Sequence, residues 1–260
     1  LEEQLGTPLF ERTARQVRLM RFGEDFAPRV RDILRSVDEL GDFARASRSA
    51  LIGRFRIGVI PTIAPYLLPT LIGNLQRSHP GLDLHVRETL TPKLVQELGQ
   101  GHLDTAIVAL PLSESAFTQA ALFEENFVLV RPSAQECEPR PDASALHNMR
   151  LLLLEEGHCF RDQALAFCNT PGAVARNGLD GSSLSTLVQM VGAGIGVTMI
   201  PEMAIRVETR SAAVNCTAFS GPQPGRTIGM IWRKSTPLSD ELREIADVVR
   251  SSGAQIRTVA

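Results

Sequence analysis

The sequence predicts an α/β protein with two lobes, each a mainly parallel sheet under covering helices, preceded by one long amphipathic helix. Two observations predict it. From Phe55 onward, short apolar runs alternate with longer stretches of helical period, the pattern of parallel strands joined by crossover helices. Upstream, Phe26, Val30, Ile33, Val37, Leu40 and Ala44 alternate spacings of four and three, a heptad seam that calls for a partner helix.

The chain opens with Leu1-Glu2-Glu3-Gln4-Leu5-Gly6, partway through what reads as a helix, so a preceding segment is expected. Arg12, Arg15, Arg18 and Arg21 then fall in a stretch without an acid. Such a run is either a solvated basic face or an element that contacts phosphates. In the heptad segment, Arg31, Asp32, Arg35, Asp38, Glu39 and Asp42 fill the other faces. Pro28 is tolerated best if the helix starts just before it. The seam fits a second copy of the chain or the protein's own core, and Ala46 to Gly53 reads as a linker.

The first lobe reads as strand (Phe55–Ile60), helix (Tyr66–Arg77), strand (Leu82–Arg87), helix (Thr91–Gln100) and strand (Thr105–Leu110), with Thr89 or Thr91 as cap of the second helix. The second set has strands at Phe127–Arg131, Arg150–Leu154 and Gly196–Ile200, a helix after Cys159 and another over Ser183–Val191. The strand Thr227–Trp232 and the helix Asp240–Val249 return to the first lobe. Crossing strands leave a cleft between the lobes, and ligands sit at the carboxyl ends of such strands. Thr62, Thr91 and Cys159 lie at or near those ends. Gly192-Ala193-Gly194-Ile195-Gly196 follows a helix and precedes a strand. That is the reverse of a dinucleotide fingerprint, and it reads as a helix stop and turn.

Composition sets the outer limits. With 260 residues, 43% apolar and 22% charged, the chain has the make-up of a globular protein with a large core, and a net charge of −2 gives no overall pull toward nucleic acid. No apolar run is long enough to cross a bilayer. Four cysteines are too few for a disulfide scaffold and fit a reducing cytosol. Without Cys-x-x-Cys or a Cys/His cluster, no metal site is expected.

The cysteine pattern carries the chemistry. Leu151 to Leu154 form a buried strand, Glu155-Glu156-Gly157 a turn, and a helix opens near Cys159. A thiol at a helix N-terminus beside His158 and Arg161 is placed for thiolate stabilisation. Cys168 lies further along the same stretch. Nine residues of helix span roughly 13 Å, whereas disulfide Cα atoms lie about 4.4–6.8 Å apart. A bond between the two therefore requires the helix to unwind. Inert packing is the competing reading, and Cys137 and Cys216, which lack cationic neighbours, are read as structural.

Taken together, these segments resemble the LysR-type transcriptional regulators over essentially the full length. Leu1 to Arg12 is similar to the end of that family's recognition helix and its wing, and the heptad segment to its dimerising linker helix. His79-Pro80-Gly81-Leu82 and Gly101-His102-Leu103-Asp104 are similar to turns of its regulatory domain. Ile60 to Pro69, and Gly157-His158-Cys159-x-Arg161-Asp162-Gln163 with Cys168, resemble the family's hydrogen-peroxide-sensing members.

The resemblance implies a two-lobed, periplasmic-binding-protein-like regulatory domain behind a linker helix and a winged helix-turn-helix remnant. It implies the remnant over 1–21, the linker over 22–50, subdomain I over 51–126 and 227–260, and a redox subdomain II over 127–226. It implies Cys159 as the peroxide-reactive thiol and Cys168 as the resolving one, a peroxide pocket of Thr62, Thr91, His158 and Arg226, and support from Arg161 and Asp162. Arg12, Arg15 and Arg18 would touch DNA phosphates, although most of the helix-turn-helix is absent.

The function implied is a cytoplasmic, dimeric or tetrameric activator of oxidative-stress genes, without cofactor or metal. Its partners are DNA, hydrogen peroxide and a thiol reductant such as glutaredoxin or thioredoxin, with no membrane. Two other readings stay open: a regulator of the same fold that senses a metabolite in the cleft, and a thiol peroxidase. A site that must refold on every cycle speaks against the enzyme.

Overall fold

The structure, a computed structural model, describes residues 1–13, 16–46, 52–135, 139–168 and 180–259. A short helix α1 (Glu2–Leu5) leads into an antiparallel hairpin of β1 (Phe10–Arg12) and β2 (Val17–Leu19). The Glu2 carboxylate accepts from the backbone N–H groups of Leu9 and Phe10 at 2.6 and 3.1 Å, pinning helix to hairpin and holding its pKa below the usual carboxylate value.

Helix α2 spans Arg21–Ala46, so it begins well before Pro28 and carries that proline inside. Local packing accounts for the earlier start. Phe22 stacks on Phe26 at 5.8 Å, and Gly23 lies so close to the Leu9 carbonyl that a Cβ would approach it to 2.3 Å. Ile33, Val37 and Leu40 of the seam are 58–69% exposed, so this stretch does not pack on the chain's own core. The predicted linker falls largely outside the described residues.

The regulatory part begins with β3 (Gly53–Val59), α3 (Ala64–Ser78), β4 (Leu82–Glu88), α4 (Thr91–Gly99) and β5 (Thr105–Leu110). These strands pair in parallel, with β3 central. β5 is buried along nearly its whole length, which is why it reads as a continuous apolar run rather than an alternation. Helix α3 starts at a proline and buries Tyr66, Leu67, Leu71 and Leu75. The expected threonine cap of α4 is not formed. Leu90 is the N-cap, and Thr91, at the first helical position, turns its hydroxyl inward instead.

The second set comprises β6 (Phe117–Pro132), β7 (Leu151–Leu154), α5 (Cys159–Phe167), β8 (Asp180–Gly181), α6 (Leu184–Gly192), β9 (Val197–Pro201), α7 (Ile205–Glu208) and β10 (Val214–Thr217). β11 (Gly225–Arg233) and α8 (Ser239–Val259) then return. Strand order is β4-β3-β5-β11-β6-β9-β7-β8, with β10 also on β6. β6 joins the two lobes: Phe117 to Asn126 pair with β11, and Phe127 to Val130 with β9. The sequence reading caught only the second half of this strand.

Ser183 caps α6 by accepting from Thr186 N, and α6 stops at Gly192, with Gly194 at φ +76° making the turn. No helix among the described residues is long and apolar enough to cross a membrane.

Candidate redox site between the lobes

Three chain segments converge where strands end. Thr62 follows β3, Thr91 opens α4 after β4, and Gly157-His158-Cys159 follows β7. Together with Ile60, Pro61, Leu90 and Phe160 they line one small pocket. Gly157 makes the turn at φ +94°, where a Cβ would meet Leu90 Cδ1 at 3.0 Å. The cavity measures about 10 Å³, on a scale where one water needs about 10–15 Å³. That is room for about one water-sized molecule.

Each polar group in the pocket has a definable role. The Thr62 hydroxyl accepts from Arg226 Nη1 at 2.8 Å, which leaves its own proton free to point elsewhere. The Thr91 hydroxyl is buried and has no hydrogen-bond partner among the described residues. Burial pushes the His158 pKa down, with Glu155 opposing weakly, so the imidazole is neutral at pH 7. A neutral ring offers one acceptor and one donor.

Cys159 is the first residue of α5 and is partly exposed, whereas Cys168 sits at the C-cap, 4% exposed. The thiols therefore occupy opposite ends of an intact helix, and neither is in a disulfide. Burial pushes the Cys168 pKa up. Phe167, beside it, packs edge-on against Phe219 at 4.9 Å. Residues 169–179, which follow Cys168, lie outside the described set. Cys216, in β10, is pushed up to about 11 by burial, while Cys137 is outside the described residues.

Behind the pocket lies a buried ion pair. Arg226 on β11 stands opposite Glu125 on β6 in the register of the crossing strands. Their side chains are 0% and 1% exposed, and Arg226 Nη2 meets Glu125 Oε2 at 2.9 Å. Arg226 also donates to Thr62 twice, through Nη1 to the hydroxyl and through Nη2 to the carbonyl at 3.0 Å. Its guanidinium lies 5.9 and 5.6 Å from the ring centres of Phe127 and Phe160, which themselves meet edge-on at 4.7 Å. Arg226 thus stands behind Thr62 rather than in the pocket lining.

The remaining predicted residues lie elsewhere. Arg161 is buried, donating to the Leu154 carbonyl at 2.6 Å and pairing with Asp180 at 3.1 Å. It ties α5 to β7 and β8, so its charge is already matched. Asp162 is exposed in the first turn of α5 and does not line the pocket. Arg12 and Arg18 are exposed on the hairpin, Arg12 lying over Phe10, and Arg15 falls outside the described residues. The sequence reading missed Glu125, Phe127 and Phe160. It also missed a second tie between the lobes, the buried Tyr66 hydroxyl donating to Glu208 at 2.7 Å. Only the adjacency of Phe160 to Cys159 signalled any of them.

Residues 48–254 match the LysR substrate binding domain. The chain is 38% identical to a probable hydrogen peroxide-inducible genes activator of Mycobacterium avium, over the whole chain and 85% of the relative. It is 37% identical to the DNA-binding transcriptional dual regulator OxyR of Escherichia coli, over 96% of the chain and 83% of that protein. A peroxide-bound cysteine-to-serine variant of OxyR from Corynebacterium glutamicum superposes with TM-score 0.79 at 30% identity, covering 98% of this chain and 81% of that one. A full-length cysteine-to-aspartate OxyR variant from Pseudomonas aeruginosa gives 0.77 at 35% identity, with 96% and 82% covered. The chain belongs to the LysR family of transcriptional regulators, among the hydrogen peroxide-inducible activators of the OxyR type.

Proposed function

We propose that this chain senses hydrogen peroxide through Cys159 and converts the oxidation into a fold change by bonding Cys159 to Cys168. The observation that carries the reading is the pocket: a water-sized cavity with two threonine hydroxyls and a neutral imidazole, opening onto the Cys159 segment at a helix N-terminus.

The Cys159 thiolate attacks one peroxide oxygen. An S–O bond forms, the O–O bond breaks, and the departing hydroxide takes a proton to leave as water. Thr62, Thr91 and His158 are placed to hold the peroxide and to donate to the oxygen on which negative charge develops. Cys168 then attacks the sulfenic sulfur, displacing the hydroxyl as a second water. Two thiols thus give two electrons and one peroxide gives two waters.

Because α5 holds the thiols roughly 13 Å apart, the second step requires that helix to unwind. Melting α5 re-packs the lobe and reorients partner subunits, giving the two states of a switch. The proposed division is a winged-helix remnant over 1–21, a linker over 22–50, subdomain I over 51–126 with 227–260, and subdomain II over 127–226. The exposed seam of α2 supports pairing with a second copy. DNA is bound through the complete winged helix-turn-helix, to which Arg12, Arg15 and Arg18 add phosphate contacts, and a cytoplasmic dithiol reductant resets the switch. A site that refolds with each oxidation suits a regulator rather than an enzyme. The pocket volume disfavours a metabolite at Cys159.

One equivalent of peroxide added to reduced protein, followed by mass-spectrometric disulfide mapping beside Cys159→Ser, tests the reading. Rapid Cys159–Cys168 bonding in the parent alone is expected. Absence of that bond overturns it.

A further inference from the structure

Resting on that reading, we infer that Glu125, on the strand joining the lobes, is a positioning residue for peroxide attack, acting through Arg226 and Thr62. Glu125 is not among the residues that line the pocket. Its Oε2 takes Arg226 Nε at 3.0 Å and Nη2 at 2.9 Å. Its Oε1 accepts from the Met203 backbone N–H at 3.0 Å, an anchor in the second lobe. The carboxylate is therefore committed on both oxygens and fixes the guanidinium in plane. Two further donors of that guanidinium face Thr62, one on its hydroxyl and one on its carbonyl.

This arrangement decides what Thr62 can do. A hydroxyl has one proton and two lone pairs. With Arg226 occupying an acceptor site, the proton is released toward the pocket that Thr62 shares with Cys159. In Glu125→Gln a single amide oxygen must serve both Arg226 and the Met203 N–H, so the buried guanidinium loses its charged anchor and its orientation is no longer fixed. Thr62 then loses the partner that aims its proton. Because Glu125 also grips the Met203 amide, the same carboxylate ties the geometry of the pocket to the position of the second lobe.

The test compares two reactions of the Cys159 thiol in reduced protein: oxidation by hydrogen peroxide and alkylation by iodoacetamide, which needs an accessible thiolate but no aimed donor. Glu125→Gln should slow oxidation by roughly 10- to 100-fold, the scale of losing an aimed hydrogen-bond donor, and leave alkylation near the parent rate. Thr62→Val should do the same. The double variant Glu125→Gln/Thr62→Val should be no slower than Thr62→Val alone, because both changes remove one interaction.

Parent-like oxidation of Glu125→Gln overturns the inference. So does an equal fall in oxidation and alkylation, which marks a merely structural role, and so do additive losses in the double variant. If Glu125→Gln does not fold, Glu125→Leu/Arg226→Met replaces the whole ion pair by apolar side chains and leaves no unmatched buried charge. The same slow oxidation with normal alkylation is expected of it, and full-speed oxidation overturns the proposal. A parent protein that peroxide does not oxidise at Cys159 refutes the sensing reading itself, a different outcome from any of these.

Discussion

Phe160 provides a thermodynamic measure of the switch. Its ring is 3% exposed, set edge-on to Phe127 and beneath the Arg226 guanidinium, in the first turn of α5. Removing a buried phenylalanine side chain costs about 3–5 kcal/mol. If the disulfide forms only after α5 has unwound and Phe160 has left this slot, the cost of Phe160→Ala falls on the reduced form alone. For a two-electron couple, about 1.4 kcal/mol corresponds to 30 mV. The midpoint potential should then drop by roughly 65–105 mV, making the variant easier to oxidise and harder to reduce. Ala166→Gly, on the exposed side of the same helix, costs about 1 kcal/mol and should move the potential by roughly 20 mV in the same direction. Equilibration against glutathione or dithiothreitol buffers, read by thiol trapping, gives the potentials, and urea unfolding of the reduced protein gives the stability loss. An unchanged potential in a Phe160→Ala protein of lowered reduced-state stability refutes the reasoning, because the helix would then be intact in both redox states.

Three further outcomes follow from single contacts. Thr91→Val should leave stability unchanged or raised, since an unpaired buried hydroxyl costs about 1–3 kcal/mol; the same variant should oxidise more slowly in a stopped-flow peroxide assay. Tyr66→Phe leaves the Glu208 carboxylate without its inter-lobe donor, and a loss of about 1.5–3 kcal/mol should lower Tm by roughly 3–12 °C in calorimetry. The His158 pKa lies below its unfolded value of 6.5, so below that pH the unfolded chain takes up a proton that the folded chain does not. Its contribution is therefore fully present above pH 6.5 and shrinks as pH falls toward the folded pKa. Urea titrations from about pH 7.5 down to about pH 5, within the range where histidine changes charge, should show the parent losing stability that His158→Gln does not lose.

What was legible in the sequence follows from what each element buries. β5 and β9 are covered on both faces and stand out as apolar runs, β3 shows by the alternation of Phe55, Ile57 and Val59 with Arg54, Arg56 and Gly58, and α3 and α4 carry clear helical periodicity. The first half of β6 does not, because a register shift opposite Ile228 and Gly229 breaks its alternation. β8 and β10 have two and four residues and owe their existence to their pairing partners. α8 runs past Val249 because Gly253, which looks like a stop, lies where a Cβ would strike the Phe123 ring at 2.3 Å.

The segment proposed to react stands out in the sequence because its residues are contiguous. Glu125 does not: in Phe123-Glu124-Glu125-Asn126 it reads as a surface acid, and only the pairing of β6 with β11 brings it to Arg226. Arg161 misled for the opposite reason. It adjoins the thiol in sequence, but its guanidinium is committed to Leu154 and Asp180.

In the proposed mechanism, α5 keeps the two thiols apart until it melts. Amide hydrogen exchange over 160–168, measured before and after one equivalent of peroxide, tests it most directly. Protected amides are expected in the reduced protein, such as the Cys168 N–H bonded to the Ala164 carbonyl, with loss of that protection as the Cys159–Cys168 bond forms. A disulfide that forms while these amides stay protected contradicts it.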